Sequence, residues 1–157
     1  SSVRDVVGGR AGGYERALAG ARDAAMEGLI DAAREMGANG VIGIKSVILT
    51  EAYPRDFEDF LKTVIGQQGI SWSNDGMTIG SANSAIEVLN ADGARDFFGL
   101  EIAAERGLRG AAIVFKVADV GVLENHLGAN GIAFIRHNRM TLVAHTAGQG
   151  VLFAFSE

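Results

Sequence analysis

The sequence predicts an α+β fold in which a long N-terminal helix precedes two paired β-α-β-β-β units. Three observations predict this fold. Apolar residues alternate with polar ones in some short segments, as in strands, and recur every three or four residues in others, as in helices. The order of helix end, glycine turn, strand and strand occurs twice along the chain. Glycine supplies 22 of the 157 residues and proline only one, which is typical of many tight turns between short elements.

Composition and charge exclude several classes of protein. Hydrophobic residues make up 48% of the chain and charged residues 21%, so the chain can bury a core and is not a solvated disordered tail. The net charge of −5 argues against a nucleic-acid partner. No apolar run approaches the roughly 18 residues of a membrane span, and no secretory signal is visible, so we expect no membrane partner and a cytoplasmic location. The absence of cysteine excludes disulfides, thiolate metal sites and cysteine nucleophiles.

Residues 1–39 are predicted to form a glycine-rich loop and one helix. Apolar residues, mostly alanine, recur at helical spacing from Tyr14 to Met36, and Gly37 stands where a C-terminal glycine cap belongs.

The segment GGRAGG at 8–13 leads into this helix, whose first N–H groups have no partner within the helix. Such N–H groups beside an arginine favour anions, which makes Gly9, Arg10 and Gly12 candidate anion-binding residues. The alternative is a flexible or subunit-contacting loop.

Residues 40–90 are predicted to form the first β-α-β-β-β unit. A β-branched strand covers Val41–Leu49, and Pro54 suits the first turn of the helix that follows and ends at Gly66. Three further strands are predicted at Ile70–Ser73, Met77–Ile79 and Ala85–Leu89.

Residues 91–109 are predicted to be a polar connection with a short helix around Ala94–Phe98, and residues 110–157 the second unit. In that unit Asp119 caps a helix that carries Leu123 and Leu127. Its strands are predicted at Ala111–Val117, Ile132–Arg136, Met140–Ala144 and Val151–Phe155.

An internal repeat connects the two units. The pattern of leucine, isoleucine, glycine and aromatic residues from Leu61 to Trp72 matches that from Leu123 to Phe134, at a constant offset of 62 residues. Each unit alone leaves one face of its sheet bare, and pairing the two units buries those faces.

Residues 40–157 resemble the vicinal oxygen chelate superfamily, which includes glyoxalases, extradiol dioxygenases and bleomycin-resistance proteins. The motifs that carry the resemblance are FKVAD, LGANGI and GQGVLFAF in the second unit. The resemblance implies metal ligands on the first and fourth strands of each unit, and these positions fall near Ser46, Glu87, Ala112 and Ala154. Only Glu87 ligates metals strongly, and a catalytic cation needs about three protein ligands, so we expect no metal and no cofactor there.

Residues 4–46 are similar to the YbjQ-like family of small bacterial proteins, to which heavy-metal binding is attributed. The residues that carry this likeness are GGRAGGYE at the start and GANGVIG at the end. The two resemblances meet at the strand 41–49. The second one implies that the N-terminal helix packs in an oligomer, and we expect a homo-oligomer.

The sequence offers one candidate ligand pocket and one cationic turn. The predicted cup of the paired units places six side chains in the pocket, namely Trp72, Glu87, Phe115, Phe134, His145 and Phe153. The turn Arg136-His137-Asn138-Arg139 is either simply solvated or a cationic patch that receives an anion.

Two functions of different classes follow from these observations. The first is a non-catalytic protein, structural or binding a small apolar or anionic ligand, with the metal site of the fold lost. The second is a metal-dependent lyase, isomerase or dioxygenase with an unusual site that uses Glu87 and His145. Because the metal positions lack ligands, the sequence favours the first function.

Overall fold

One eight-stranded mixed sheet forms the centre of the molecule. The computed structural model describes residues 20, 23–25, 27–31, 40–66, 69–80, 84–103, 106–145 and 150–157. The elements in chain order are β1 (Val41–Thr50), a 3-10 helix (Pro54–Phe57), α1 (Glu58–Ile65), β2 (Ile70–Trp72), β3 (Gly76–Gly80), β4 (Ala85–Leu89), α2 (Ala91–Phe98), β5 (Arg109–Val117), α3 (Val120–Ala129), β6 (Ile135–His137), β7 (Met140–Val143) and β8 (Leu152–Ser156). The order of strands across the sheet is β2-β3-β4-β1-β5-β8-β7-β6.

The first half of the sheet, β1–β4, and the second half, β5–β8, have the same topology. In the first half β1 pairs in parallel with β4, and β4-β3-β2 is antiparallel. In the second half β5 pairs in parallel with β8, and β8-β7-β6 is antiparallel. The antiparallel pairing of β1 with β5 joins the halves. Both halves therefore have the connectivity that a duplicated β-α-β-β-β unit requires.

Helices α1 and α3 cover one face of the sheet, which we call the α1/α3 face. Because side chains alternate along strands, this face receives every second residue of each strand. Under α3 lie Leu123 and Leu127 with Phe115, Phe153 and Phe155. Under α1 a separate cluster is built on four buried residues, Leu61, Met77, Ile79 and Val88.

Helix α2 packs on the opposite face, which we call the α2 face. Ala94 and Phe98 of this helix bury against Ile48, Leu142 and Ala154 of the sheet. Asn90 caps the helix by accepting a hydrogen bond of 2.9 Å from the Gly93 N–H, and Gly99 ends it with a left-handed φ of 65°.

The structure confirms the mixed α+β class and the order of the predicted strands. Seven of the eight strands agree with their predicted bounds to within two residues. The exception is β6, which begins at Ile135 instead of Ile132, because the Ile132 N–H still bonds the Leu127 carbonyl at the end of α3. The helix predicted from Pro54 is also wrong at its start, since its first turn is a 3-10 helix and α1 begins only at Glu58.

The long N-terminal helix lies mostly outside the described residues. The described positions between 20 and 31 are helical, and Leu29 and Ile30 pack against the cluster under α3. No described helix is both long enough and apolar enough to span a membrane.

Candidate functional site

The four positions that the superfamily pattern assigns to metal ligands share the α2 face. Ile48 is the strand partner of both Glu87 and Ala112, and Val114 is the partner of both Ser46 and Ala154. Glu87 is half-buried, whereas Ser46 and both alanines are buried. Within the described part of the chain, no three His, Asp or Glu side chains lie close enough together to hold a metal ion.

Two of the predicted pocket residues are core residues. Phe115 and Phe153 are fully buried on the α1/α3 face, with ring centroids 4.9 Å apart in an edge-to-face contact. Phe134 packs against the same cluster. Odd-numbered positions of β5 and β8 point under α3 and even-numbered ones toward α2. The rings of Phe115 and Phe153 therefore lie on the face opposite Glu87, and the pocket around them stays a prediction.

The other three predicted pocket residues lie apart from one another. Trp72 borders a cleft at the end of β2, and Glu87 lies on the α2 face of β4. His145 lines a different cavity, of about 310 Å³, together with Leu100 and Ile102. The six residues are thus divided between both faces of the sheet. The predicted anion-binding residues Gly9, Arg10 and Gly12 lie outside the described residues.

The cationic turn Arg136-His137-Asn138-Arg139 is divided among three roles. Arg136 forms a bidentate ion pair with Glu124. The Nε2 of His137 lies 2.9 Å from the Asp96 carbonyl oxygen near the end of α2, and Asn138 donates to the same oxygen. Arg139, held at a positive φ of 62°, is exposed and lines a groove.

We call this groove the basic groove. It consists of two cavities of about 710 and 520 Å³ at one end of the sheet, and both are lined by Lys45 and Glu157. The larger lies toward α2, and the smaller reaches Ile30 and Ile44 of the cluster under α3. Arg139, Phe97, Met140 and Ser156 line the larger cavity, and Lys116, Ile42 and Ile30 line the smaller one.

Strand register brings the cations of the basic groove together. Lys45 is the bulged residue between Ile44 and Ser46, and its Nζ donates a hydrogen bond of 3.2 Å to the Ser156 Oγ. Ser156 is the strand partner of Lys116. The side chains of Lys45 and Lys116 therefore reach the same end of the sheet.

Among the residues that the structure describes, no carboxylate pairs with Lys45, Lys116 or Arg139, so the charges of these three side chains are available to a ligand. Among the described residues Glu157 is the one carboxylate that lines the groove, and its Oε1 accepts a hydrogen bond of 3.1 Å from the Val120 N–H. The groove is positive on balance, with three cations against this one carboxylate.

Sequence reasoning missed Lys45, Lys116 and Phe97. A signal for the lysines was present: each is a single charge inside an otherwise apolar strand, VIGIKSVILT and RGAAIVFKV. An isolated lysine in a buried strand must reach solvent at one end of the strand, which marks it as a candidate ligand contact.

Two buried carboxylates, Glu51 and Glu124, were also missed. Thr141 and the Arg136 guanidinium both donate to Glu124, and the Arg136 hydrogen bonds lower the pKa of Glu124 to about 2. Glu124 is thereby a fixed anion that ties α3 to β6 and β7.

Glu51 follows β1 and is fully buried. Burial raises its pKa, but hydrogen bonds from the Gly107 N–H at 2.6 Å, from Arg106 at 2.5 Å and from the Tyr53 N–H at 3.2 Å outweigh burial, so the pKa is lowered overall. Both carboxylates are therefore saturated by partners within the chain, and neither resembles a general base waiting for a substrate.

Comparison with known proteins gives a different likeness for each part of the chain. A family model described as "Putative heavy-metal-binding" (YbjQ) matches residues 1–52, about a third of the chain, so this likeness runs through β1. A UPF0145 protein of Bacillus cereus is 59% identical over 44 residues, and one of Bacillus thuringiensis subsp. konkukian is 57% identical. Each alignment covers 28% of this chain and 43% of the relative, so the chain spans less than half the length of these curated relatives.

Solved structures resemble the larger part of the chain. Methylmalonyl-CoA epimerase from Mycobacterium tuberculosis superposes with a TM-score of 0.52 at 13% identity, covering 73% of this chain and 87% of that protein. A hypothetical protein from Bacillus halodurans gives a TM-score of 0.52 at 16% identity, covering 71% and 91%. At such identities the likeness concerns the fold. The fold is glyoxalase-like. The resemblance of residues 40–157 to the vicinal oxygen chelate superfamily is thus confirmed at the level of the fold.

Proposed function

We propose that this chain is a non-catalytic binding protein with a glyoxalase-like fold, and that its ligand is a small anion with an apolar part. The basic groove is the proposed site. The observation that carries the proposal is the convergence of Lys45, Lys116 and Arg139 on one groove without a carboxylate partner among the described residues.

The charge of the groove contrasts with that of the chain. The chain carries a net charge of −5, so a surface with three cations and one carboxylate differs in sign from the rest of the molecule. Local positive potential attracts anions even when the whole protein is acidic.

The walls of the groove favour a ligand that also has an apolar part. Phe97 is 42% exposed and Ile42 is 63% exposed, although both are large hydrophobic residues. Together with Met140 they offer apolar surface within the same two cavities as the cations. The larger cavity, at about 710 Å³, lies within the range of roughly 300–1,000 Å³ of small-molecule sites.

The absence of catalysis is proposed on the chemistry of the α2 face. Side chains of α2 pack on that face of the sheet, where Glu87 is the one strong metal ligand at the four superfamily positions. Glu51 and Glu124 are held by internal hydrogen bonds. An anionic ligand is also consistent with the fold neighbours, since two of them are epimerases named for methylmalonyl-CoA.

We also propose that the chain is organised in four segments, residues 1–39, 40–90, 91–109 and 110–157. We further propose that it forms a homo-oligomer. Light scattering tests the homo-oligomeric state, and a measured mass equal to that of one chain would contradict it.

Calorimetric titration with octanoate tests the proposed site. Wild-type protein is expected to bind, and Lys45→Ala and Arg139→Ala each to weaken binding about two- to fivefold, because exposed ion pairs contribute roughly 0.2–1 kcal/mol. The double variant is expected to lose about the product of the two factors. Lys62→Ala is the matched control, since it removes a cation that already pairs with Glu58 on α1.

Two results would contradict the proposal. One is octanoate binding that the double variant leaves unchanged. The other is binding or turnover that disappears with a chelator and returns with a divalent metal, which would favour the metal-dependent enzyme.

A further inference from the structure

We propose a second, independent binding site in the first half of the sheet, built to take a planar aromatic molecule that carries one negative charge. We call it the aromatic cleft. It is a cavity of about 320 Å³ between the segment that follows β1 and the β2–β3 turn, and its lining includes Tyr53, Arg55, Trp72, Asn74 and Asn90.

Two cation–π pairs lie at the aromatic cleft, which Arg55, Trp72 and Tyr53 line directly. The Arg55 guanidinium carbon lies 4.6 Å from the centre of the Trp72 ring, and that of Arg106 lies 4.9 Å from the centre of the Tyr53 ring. These cation–π contacts place a positive charge beside each ring, where a planar group can still reach the ring. Tyr53 is 63% exposed, so much of its ring is open to a ligand.

The two guanidinium groups differ in their partners. Arg106 donates to Glu51 and to Asp56, so its charge is matched twice. Arg55 is exposed and has no carboxylate partner in the described part of the chain. The charge that the aromatic cleft offers to a ligand is therefore that of Arg55, and the carboxylate of Asp56 is already engaged.

The floor of the aromatic cleft is fixed before any ligand binds. The Asn90 amide donates to the Asn74 carbonyl at 2.7 Å and accepts from the Gly93 N–H at 2.9 Å, which fastens the β2–β3 turn to α2. A Cβ on Gly76 would lie 1.9 Å from the Val88 carbonyl oxygen, so this turn packs as closely as a glycine allows. A preformed site loses little entropy on binding.

Size and chemistry together set the ligand class. A volume of about 320 Å³ is at the lower end of the range for small-molecule sites, which suits a molecule of one or two rings. An aromatic ring stacks on Tyr53 or Trp72, and a carboxylate or phosphate on it pairs with Arg55. The basic groove differs because its lysines are not stacked on rings, and it favours flexible apolar anions.

Trp72 is the only tryptophan in the chain, so its fluorescence reports directly on the aromatic cleft. Titration with 4-nitrobenzoate, a planar anion that quenches tryptophan, is expected to give saturable quenching. The neutral isostere 4-nitrobenzyl alcohol is expected to bind about two- to fivefold more weakly, since the exposed ion pair with Arg55 is lost. Cyclohexanecarboxylate, an anion without an aromatic ring, is expected not to displace 4-nitrobenzoate.

Variants assign the binding to named residues. Arg55→Gln is expected to weaken 4-nitrobenzoate to the level of the alcohol and to leave the alcohol unchanged, because the alcohol forms no ion pair with Arg55. Tyr53→Ala is expected to weaken both probes. Lys45→Ala, in the basic groove, is expected to change neither, and this control separates the site from the proposed function.

Three outcomes would overturn the inference. They are quenching that rises linearly without saturation, equal affinity of the two nitro compounds for the wild-type protein, and loss of quenching in Lys45→Ala. Circular dichroism of each variant separates lost binding from lost folding.

Discussion

The aromatic cleft and the basic groove occupy corresponding places in the two halves of the sheet. Each lies where a hairpin turn meets the residue that follows the last strand of its half: Gly76 and Asn90 in the first half, Met140 and Glu157 in the second. The first is lined by two aromatic rings with one guanidinium, the second by two lysines and an arginine with Phe97 and Met140. Shared topology thus fixes where a cavity forms, and the loop and edge residues decide what it binds.

The interiors of the two halves differ as well. Three phenylalanine rings contact one another under α3, one pair stacked and two pairs edge-to-face, whereas the cluster under α1 is built on aliphatic side chains and methionine. Glu124 on α3 is buried in an ion pair with Arg136, and the residue 62 positions earlier, Lys62, forms a surface pair with Glu58. The second half is therefore held by larger apolar side chains, whereas a buried carboxylate is present in both halves, Glu51 in the first and Glu124 in the second.

The largest expected effect concerns Phe153, which the sequence predicted to line a pocket. Phe153→Ala should lower the free energy of unfolding by about 3–5 kcal/mol, because it leaves a cavity among fully buried rings. Val88→Ala, in the fully buried cluster under α1, should cost less, since it removes fewer carbon atoms. Urea unfolding measures both changes. A near-neutral Phe153→Ala variant that loses ligand would show that this ring lines a pocket after all.

A smaller effect is expected from Glu124. Glu124→Gln should lower the free energy of unfolding at pH 7 by about 1.5–3 kcal/mol, as expected for charged hydrogen bonds in a buried setting. Glu58→Gln, the surface control in the first half, should cost no more than about 0.5 kcal/mol.

The Glu124 contribution should depend on pH. The pKa of Glu124 is about 2 in the folded protein, against about 4.3 for an unfolded glutamate. A lowered pKa stabilises the folded state above about pH 4.3, and this stabilisation is lost as the pH falls toward about 2. The difference between wild type and Glu124→Gln should therefore shrink over this interval, and a difference that stays constant would refute the role of the charge.

The sequence predicted the fold well because both halves repeat local signals. Leu61 and Leu123 mark the buried faces of α1 and α3, and glycines at 66 and 131 take positive φ values after these helices. The sequence also predicted that Asp119 caps α3, and its carboxylate accepts a hydrogen bond of 2.9 Å from the Val122 N–H.

The candidate sites were predicted less well, for physical reasons. Alternation along β8 shows that Phe153 and Phe155 share a face, but it shows neither which residues of β5 lie beside them nor which face a helix covers. The basic groove joins Lys45 and Lys116 from different strands through a bulge and a register that only the pairing of β1 with β5 defines. Trp72 was predicted to line the cup and borders a separate cleft, and its partner Arg55 lies on a 3-10 helix that the sequence presented as part of α1.

The central claim is that this glyoxalase-like fold binds an anion at one end of the sheet and performs no metal chemistry across the α2 face. Titration of ¹⁵N-labelled protein with octanoate, followed through backbone amide shifts, tests this claim most directly. The account predicts saturable shifts at Lys45, Lys116, Met140 and Ser156 that are the same with and without a chelator. Shifts centred on Ser46, Glu87 and Ala112 that require a divalent metal would contradict it.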